Sequence, residues 1–263
     1  MKIRLLFICC VLALNATAQN SETTFQTCNV KGSTTIYDYN NHLWTTTDSS
    51  DSYKGSQPAS TFKIINLLIA LETGVIKDEN AIIKWPGKTD TTLYGYRPDI
   101  YRDISVKEAF ELSAGWAFIV LAKKVGREKY KTFLQRSKYG NGDLSEKGDD
   151  FWNFGNFHVS PRNQIEFLIN VYENKTIFSK HNIAILKKVM VTEKTVNHTL
   201  RSKTGWTRIG GNDIGWWVGY LETKGNVFFF ATRITKQRSV SNPGFGECRK
   251  TITREFLRKI NAM

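Results

Sequence analysis

Residues 57–75, QPASTFKIINLLIALETGV, open on small hydroxyl residues, run apolar for more than two turns and stop at Gly74, a natural helix C-terminus. The stretch reads as a buried helix, and a buried helix of this length demands a core around it. One residue conflicts with that environment. Lys63 would put an ammonium in the first turn, beside Phe62, Ile64 and Ile65, where burial and the helix dipole both disfavour a cation. Ser60 stands three residues earlier, close enough on a helix to touch it.

The rest of the chain bounds what that pair can serve. Residues 1–18 have a basic start at Lys2 and Arg4, an apolar run from Leu5 to Leu14, and small residues at Ala16 and Ala18. This is the pattern of a secretory signal peptide, so the mature protein is expected to be exported and periplasmic. No later segment reaches the roughly 18 apolar residues of a membrane span. Residues 19–263 fit one large domain with a full core. The charge of +13 favours anionic surfaces or acidic substrates, but the basic residues are spread without the runs or motifs of a nucleic-acid binder. Past the signal, only Cys28 and Cys248 remain. Export permits a disulfide between them, two buried free thiols are the alternative, and spacing leaves both open. There is no C-x-x-C, no H-E-x-x-H and no ligand-spaced pair among His42, His158, His181 and His198, so no metal site is expected.

Periodicity changes along the chain. A strand is expected around 34–39, then a polar loop over 46–57, then the apolar helix. The middle is helical: AFIVLAKKVG ends at Gly126, REKYKTFLQRSKYG ends at Gly140, and SPRNQIEFLINVYEN has Ser160 as N-cap with Pro161 at the first helical position. A further helix covers 180–190. IGWWVGYLETKGNVFFFATRIT then reads as two strands joined by a turn at 224–226, and a last helix spans 249–260. Strands at both ends around inserted helices imply an α+β fold, an antiparallel sheet flanked by helices with an inserted all-helical subdomain, and a site between the two lobes.

A serine hydroxyl is a weak nucleophile without a neighbouring base, and Lys63 can be that base only as a neutral amine. Burial and the dipole both push its pKa down, so the awkward placement becomes useful. A capping serine followed by a snorkelling lysine would give the same spacing. The pairing of S-x-x-K with K-T-G, however, marks penicillin-recognising serine enzymes, and Lys203-Thr204-Gly205 stands just before the hairpin.

With PASTFK (58–63), SAG (113–115), YGN (139–141), FWNFG (151–155), KTG (203–205) and GWWVGY (215–220) in that order, the chain resembles the class D, oxacillinase-type, serine β-lactamases from about Gly32 to the last helix. The resemblance implies a β-lactamase/transpeptidase-like fold and hydrolysis of β-lactam antibiotics, conferring resistance. Ser60 would be acylated, and Lys63, carbamylated by CO2 or bicarbonate, would serve as general base, with Trp152 donating to the carbamate. Ser113 would relay a proton beside Lys203. The backbone N–H groups of Ser60 and Trp206 would form the oxyanion hole. Thr204, Gly205 and Arg249 would hold the substrate carboxylate, and Tyr139 and Asn141 would shape the site wall. No other cofactor is implied. The partner is a small β-lactam, with neither nucleic acid nor a membrane span, and homodimer formation stays open.

Two positions depart from the family. Gly115 replaces the valine of S-x-V, and Asn153 replaces the leucine after the loop tryptophan, which should open and wet the carbamate enclosure. The rival readings are a penicillin-binding transpeptidase or carboxypeptidase, and a non-hydrolysing β-lactam sensor domain.

Overall fold

The computed structural model describes residues 24–263; the expected signal peptide, 1–18, lies outside them. A helical turn at 24–27 (α1) leads to β1 (Lys31–Asp38) and β2 (Leu43–Thr46). The expected polar loop over 46–57 contains a short helix, α2 (Ser49–Tyr53), because the Asp48 carboxylate caps it by accepting from the Asp51 N–H. The long apolar stretch divides into a 3-10 turn, Ala59–Phe62, and α3 (Lys63–Glu72). Gly74, at φ +71°, follows the last turn of α3, in the left-handed conformation that suits glycine there.

The inserted region runs from β3 (Ile82–Ile83) through α4 (Thr91–Tyr94), β4 (Ile104–Ser105), α5 (Val106–Glu111), α6 (Gly115–Val125), α7 (Arg127–Arg136) and α8 (Phe151–Phe154) to α9 (Pro161–Tyr172) and α10 (Lys180–Val189). It also carries a two-stranded ladder, β3 with β4. Ser160 caps α9 with its hydroxyl and Pro161 occupies the first helical position, as the sequence predicts. The helix expected to reach Gly140 stops at Arg136, because Lys138 turns to φ +50° and breaks the hydrogen-bond ladder.

The chain returns through β5 (Val191–Lys194), β6 (His198–Ile209), β7 (Asn212–Thr223), β8 (Val227–Gln237) and α11 (Phe245–Lys259). One antiparallel sheet results, ordered β2-β1-β8-β7-β6-β5, so the first strand pairs with the last. The hairpin turn lies at 224–226, as expected. Its aromatic runs are continuous because both faces of the sheet are covered. Trp216, Val218, Tyr220 and Phe229 join the main core with α3, α6 and α9, while Trp217, Leu221, Phe228 and Phe230 pack with Leu257 of α11. The fold is therefore α+β, with an antiparallel sheet and an inserted, mainly helical region. Helix α11 starts four residues earlier than expected because Phe245 is buried against Ile234, and Arg249 sits one turn inside it.

Cys28 and Cys248 are joined by a disulfide, with Cα atoms 5.9 Å apart at a sequence separation of 220. Closing so long a loop restrains the unfolded chain strongly. Replacing both cysteines by serine is expected to lower unfolding free energy by about 2–4 kcal/mol, read from urea unfolding, with a steeper slope because the released unfolded chain exposes more surface.

Candidate active site

The 3-10 turn brings Ser60 and Lys63 together. Lys63 Nζ donates to Ser60 Oγ at 2.8 Å. The lysine is 2% exposed, lies 5.2 Å from the Phe118 ring centre, and is pushed down to about 7 by burial. The turn is held from behind. Thr61 Oγ1 donates to the Pro58 carbonyl at 2.7 Å and accepts from Gln164 Nε2 at 2.8 Å. Trp216, from the GWWVGY strand, donates its indole N–H to the Gln57 carbonyl at 2.9 Å. Ala59, immediately before Ser60, is at φ +50°, an unfavourable conformation of the kind that surrounding structure must impose.

β6 supplies the opposing wall. β5 pairs with β6 only as far as Arg201, so the edge from Ser202 onward faces the 3-10 turn. Gly205 makes that approach possible: a Cβ there would stand 2.8 Å from the Pro58 carbonyl oxygen and 3.3 Å from the Thr61 nitrogen. Lys203 Nζ donates to Ser113 Oγ at 2.9 Å and to the Thr204 carbonyl at 3.1 Å. Burial, then the positive charges of Lys63, Arg249 and Lys250, hold the Lys203 amine well below its usual range. Ser113 is at φ +58°, the second strained residue beside the nucleophile. Arg249 Nη1 donates to the Gly205 carbonyl, while its Nε is buried without a partner. Burial pulls this guanidinium down to about 10, so it stays cationic at neutral pH.

Ser60, Lys63, Ser113, Thr204, Gly205, Trp206 and Arg249 share one cleft of about 530 Å³. Lys203 touches it through Ser113. Trp206 is half exposed, packs on Phe245 and donates its indole N–H to Asp213 at 3.0 Å. Trp152 is buried behind the turn, its ring stacked on Phe62 at 4.8 Å. Tyr139 and Asn141 do not line the cleft, which corrects the expectation that they form its wall. Tyr139 turns inward because its ring packs among Phe62, Phe157 and Phe167, and its hydroxyl donates to Gln164 Oε1 at 2.8 Å. It supports the nucleophile's turn indirectly, through Gln164 and Thr61. Asn141 is exposed and ties the chain at 156–158, donating to the Asn156 carbonyl at 2.8 Å and accepting from the His158 N–H at 3.1 Å.

The roof of the cleft was not read from the sequence. Residues 89–101 cover it with Leu93, Tyr94, Tyr96 and Arg97. The available signal was a stretch of more than a dozen residues without clear periodicity that carries three tyrosines, Tyr94, Tyr96 and Tyr101, a length that usually denotes function. Among the described residues, no helix is long and apolar enough to cross a membrane, and no three His, Cys, Asp or Glu side chains gather as metal ligands.

A family model for the penicillin binding protein transpeptidase domain matches residues 11–258. The chain is 39% identical over 189 residues to β-lactamase OXA-10 of Pseudomonas aeruginosa, covering 71% of this chain and 69% of that protein. To OXA-48 of Klebsiella pneumoniae it is 37% identical over 203 residues, covering 77% and 73%. Among solved structures, the class D β-lactamase from Sebaldella termitidis aligns with a TM-score of 0.87 at 41% identity, covering 93% of this chain and 96% of that one. The class D β-lactamase YbXI from Nostoc aligns at 0.84 and 36% identity, covering 91% and 98%. The chain belongs to the class D β-lactamases.

Both departures from that family's sequence pattern fall on this class D enzyme's cleft wall. Gly115 and Asn153 line it, and a Cβ placed on Gly115 would meet nothing within 4 Å. The space a valine would fill is open. Gly205 has the opposite character, since nothing larger fits between β6 and the turn. Gly205→Ala is expected to lower kcat/KM for a chromogenic cephalosporin about 10²-fold by displacing one wall from the other, with the circular dichroism spectrum unchanged.

Proposed function

We propose that the protein hydrolyses β-lactam antibiotics through an acyl-enzyme on Ser60, with carbamylated Lys63 as the general base, and so confers resistance to them. The observation that carries this is a buried lysine amine, pushed down to about 7, that stands 2.8 Å from the serine hydroxyl in a cleft shared with Ser113 and Arg249. Only an unprotonated amine reacts with CO2, and a pKa near 7 makes that form abundant at neutral pH. The surroundings fit an anion there: Arg249, cationic at neutral pH, lines the same cleft, and the one acidic residue lining it, Glu111, is 3.8 Å from Lys107. The modification supplies a carboxylate-like base where an amine alone would titrate away.

In acylation, Ser60 Oγ gives its proton to the Lys63 group and attacks the lactam carbonyl carbon. The backbone N–H groups of Ser60 and Trp206 stabilise the resulting oxyanion. As the C–N bond breaks, the leaving nitrogen takes a proton from the Ser113 hydroxyl, which Lys203 replenishes. Arg249, with an unpaired Nε, and Thr204 hold the substrate carboxylate. The first proton taken up by the Lys63 group then returns to Lys203, which gave one up to Ser113, so the Lys63 group is again a base in deacylation: it takes a proton from water, whose oxygen attacks the ester carbonyl, and hands that proton to Ser60 Oγ as the ester C–O bond breaks. Trp152, stacked beside the turn, steadies the base. The chain at 1–18 supports export to the periplasm, where this activity would meet its substrates.

A transpeptidase or a sensor would also acylate Ser60, so turnover separates the readings. The mature chain is expected to hydrolyse a chromogenic cephalosporin through many cycles, with Ser60→Ala and Lys63→Ala each losing about 10²–10⁴-fold or more in rate. A burst of one equivalent followed by no further product would show acylation without hydrolysis.

Protonation gives a second test. As pH falls through about 7 the Lys63 amine gains a proton and can no longer hold CO2, so activity should fall on the acid side and recover with added bicarbonate. With the enclosure open at Gly115 and Asn153, the response to bicarbonate should be pronounced, and Gly115→Val with Asn153→Leu should reduce it. A flat bicarbonate titration from pH 6 to 8 would count against the carbamate.

A further inference from the structure

The short turn α8 carries Trp152 and Asn153; its first residue, Phe151, is anchored in the core 5.4 Å from the Phe62 ring and 5.6 Å from that of Tyr130, and three further contacts hold the rest of the turn. Trp152 stacks on Phe62, between Ser60 and Lys63 in the chain. The Asn153 carbonyl accepts from Thr207 Oγ1 of β6 at 2.8 Å. The third contact comes from the roof. Tyr94, at the end of α4, donates its hydroxyl to the Asp150 carboxylate, and its ring meets Phe154 edge-on at 5.7 Å. Asp150 is buried, at 8% exposure, while the rest of the roof from Tyr96 to Asp99 is exposed. A buried carboxylate without a donor is costly, so the Tyr94 hydroxyl is a strong reason for α8 and the roof to stay together. Tyr94 itself lines the cleft, so the contact lies where roof and wall meet.

We propose that Tyr94 and Asp150 form a clasp that positions α8, and with it Trp152 and Asn153, against the Lys63 pocket, so that the clasp sets how well the modified lysine is retained. This rests on the carbamylated-lysine reading. Gly115 leaves that pocket open on one side, and the clasp compensates by closing the roof onto α8 on the other. Tyr94 is a positioning residue: it acts through α8 and takes no proton in the reaction. The geometry demands only an acceptor at position 150, because the tyrosine donates.

The test uses the full mature chain with Tyr94→Phe, Asp150→Ala and Asp150→Asn. Asparagine keeps an acceptor oxygen and serves as the conservative rescue. Three quantities are read: the bicarbonate concentration giving half-maximal kcat, the occupancy of the carbamate carbon by NMR after labelling with 13C-bicarbonate, and Tm. Tyr94→Phe and Asp150→Ala are expected to raise the half-maximal bicarbonate roughly 3- to 10-fold, the range of one lost hydrogen bond, and to lower 13C occupancy in proportion. Saturating bicarbonate should restore kcat, and Asp150→Asn should stay within about twofold of the parent. Equal bicarbonate dependence in Tyr94→Phe and the parent, even with a lowered Tm, would overturn the clasp and leave the carbamate standing. A parent enzyme with no carbamate carbon and no bicarbonate response would overturn both.

Discussion

The structure depends on one contact, the hydrogen bond from the Lys63 amine to the Ser60 hydroxyl. Its geometry is ordinary, but its surroundings are not. An amine this deeply buried loses the water that would stabilise its charge, and a donor with a pKa near 7 is also a base at neutral pH. The contact survives only if the 3-10 turn cannot relax to let the lysine reach solvent. Thr61 closes the turn on itself through the Pro58 carbonyl, while Gln164 of α9 and Trp216 of β7 tie the Thr61 hydroxyl and the Gln57 carbonyl to the rest of the fold. Ala59 and Ser113 are held at positive φ, a cost of about 1–3 kcal/mol each that persists only because their neighbours over-determine them.

Much of this was legible because it is local. The Ser60–Lys63 spacing brings the two groups together whether the backbone is α-helical or 3-10, so the contact was readable although the turn type was not. Caps and stops, such as Ser160 with Pro161 or Gly74, depend on a few consecutive residues. The two hairpin strands announced themselves by aromatic and β-branched runs. What escaped was long-range. Tyr139 was expected in the cleft because its motif recurs with the others, but its ring had three buried aromatic neighbours to satisfy and turned inward. The roof at 89–101 has no periodicity, and its place over the cleft is set by contacts such as Trp116 Nε1 to the Ile100 carbonyl, 2.8 Å, which spacing does not encode. The pairing of Cys28 with Cys248 follows from β1 lying beside β8, again a property of the closed sheet.

The two walls of the cleft are built by different physics. The wall behind Ser60 is buried aromatic packing with satisfied hydrogen bonds, and such interiors resist small displacements because they are close-packed. The roof is exposed chain, held at a few points: Tyr94 to Asp150, Tyr101 to the Gly95 carbonyl at 3.0 Å, and Tyr101 stacked on Trp85 at 4.9 Å. Rigidity lies where the nucleophile and its base must stay aligned. The roof is the less constrained side of the cleft, because few contacts hold its exposed residues in place.

The cations of the site add a constraint that geometry alone would not reveal. Lys63, Lys203 and Arg249 converge in a poorly solvated space, and the positive charge of Lys63 is one reason the Lys203 amine sits so far below its usual range. The two lysines therefore do not titrate independently. An anion at Lys63 would replace a repulsive neighbour of Lys203 with an attractive one, so Lys203 would hold its proton more firmly in that state. Conversion of one lysine into a carbamate would thus arm the other as a proton donor to Ser113, 2.9 Å away. Base and acid for the two halves of the reaction would then be prepared by a single event, the capture of CO2 by an amine whose pKa burial lowers to about 7.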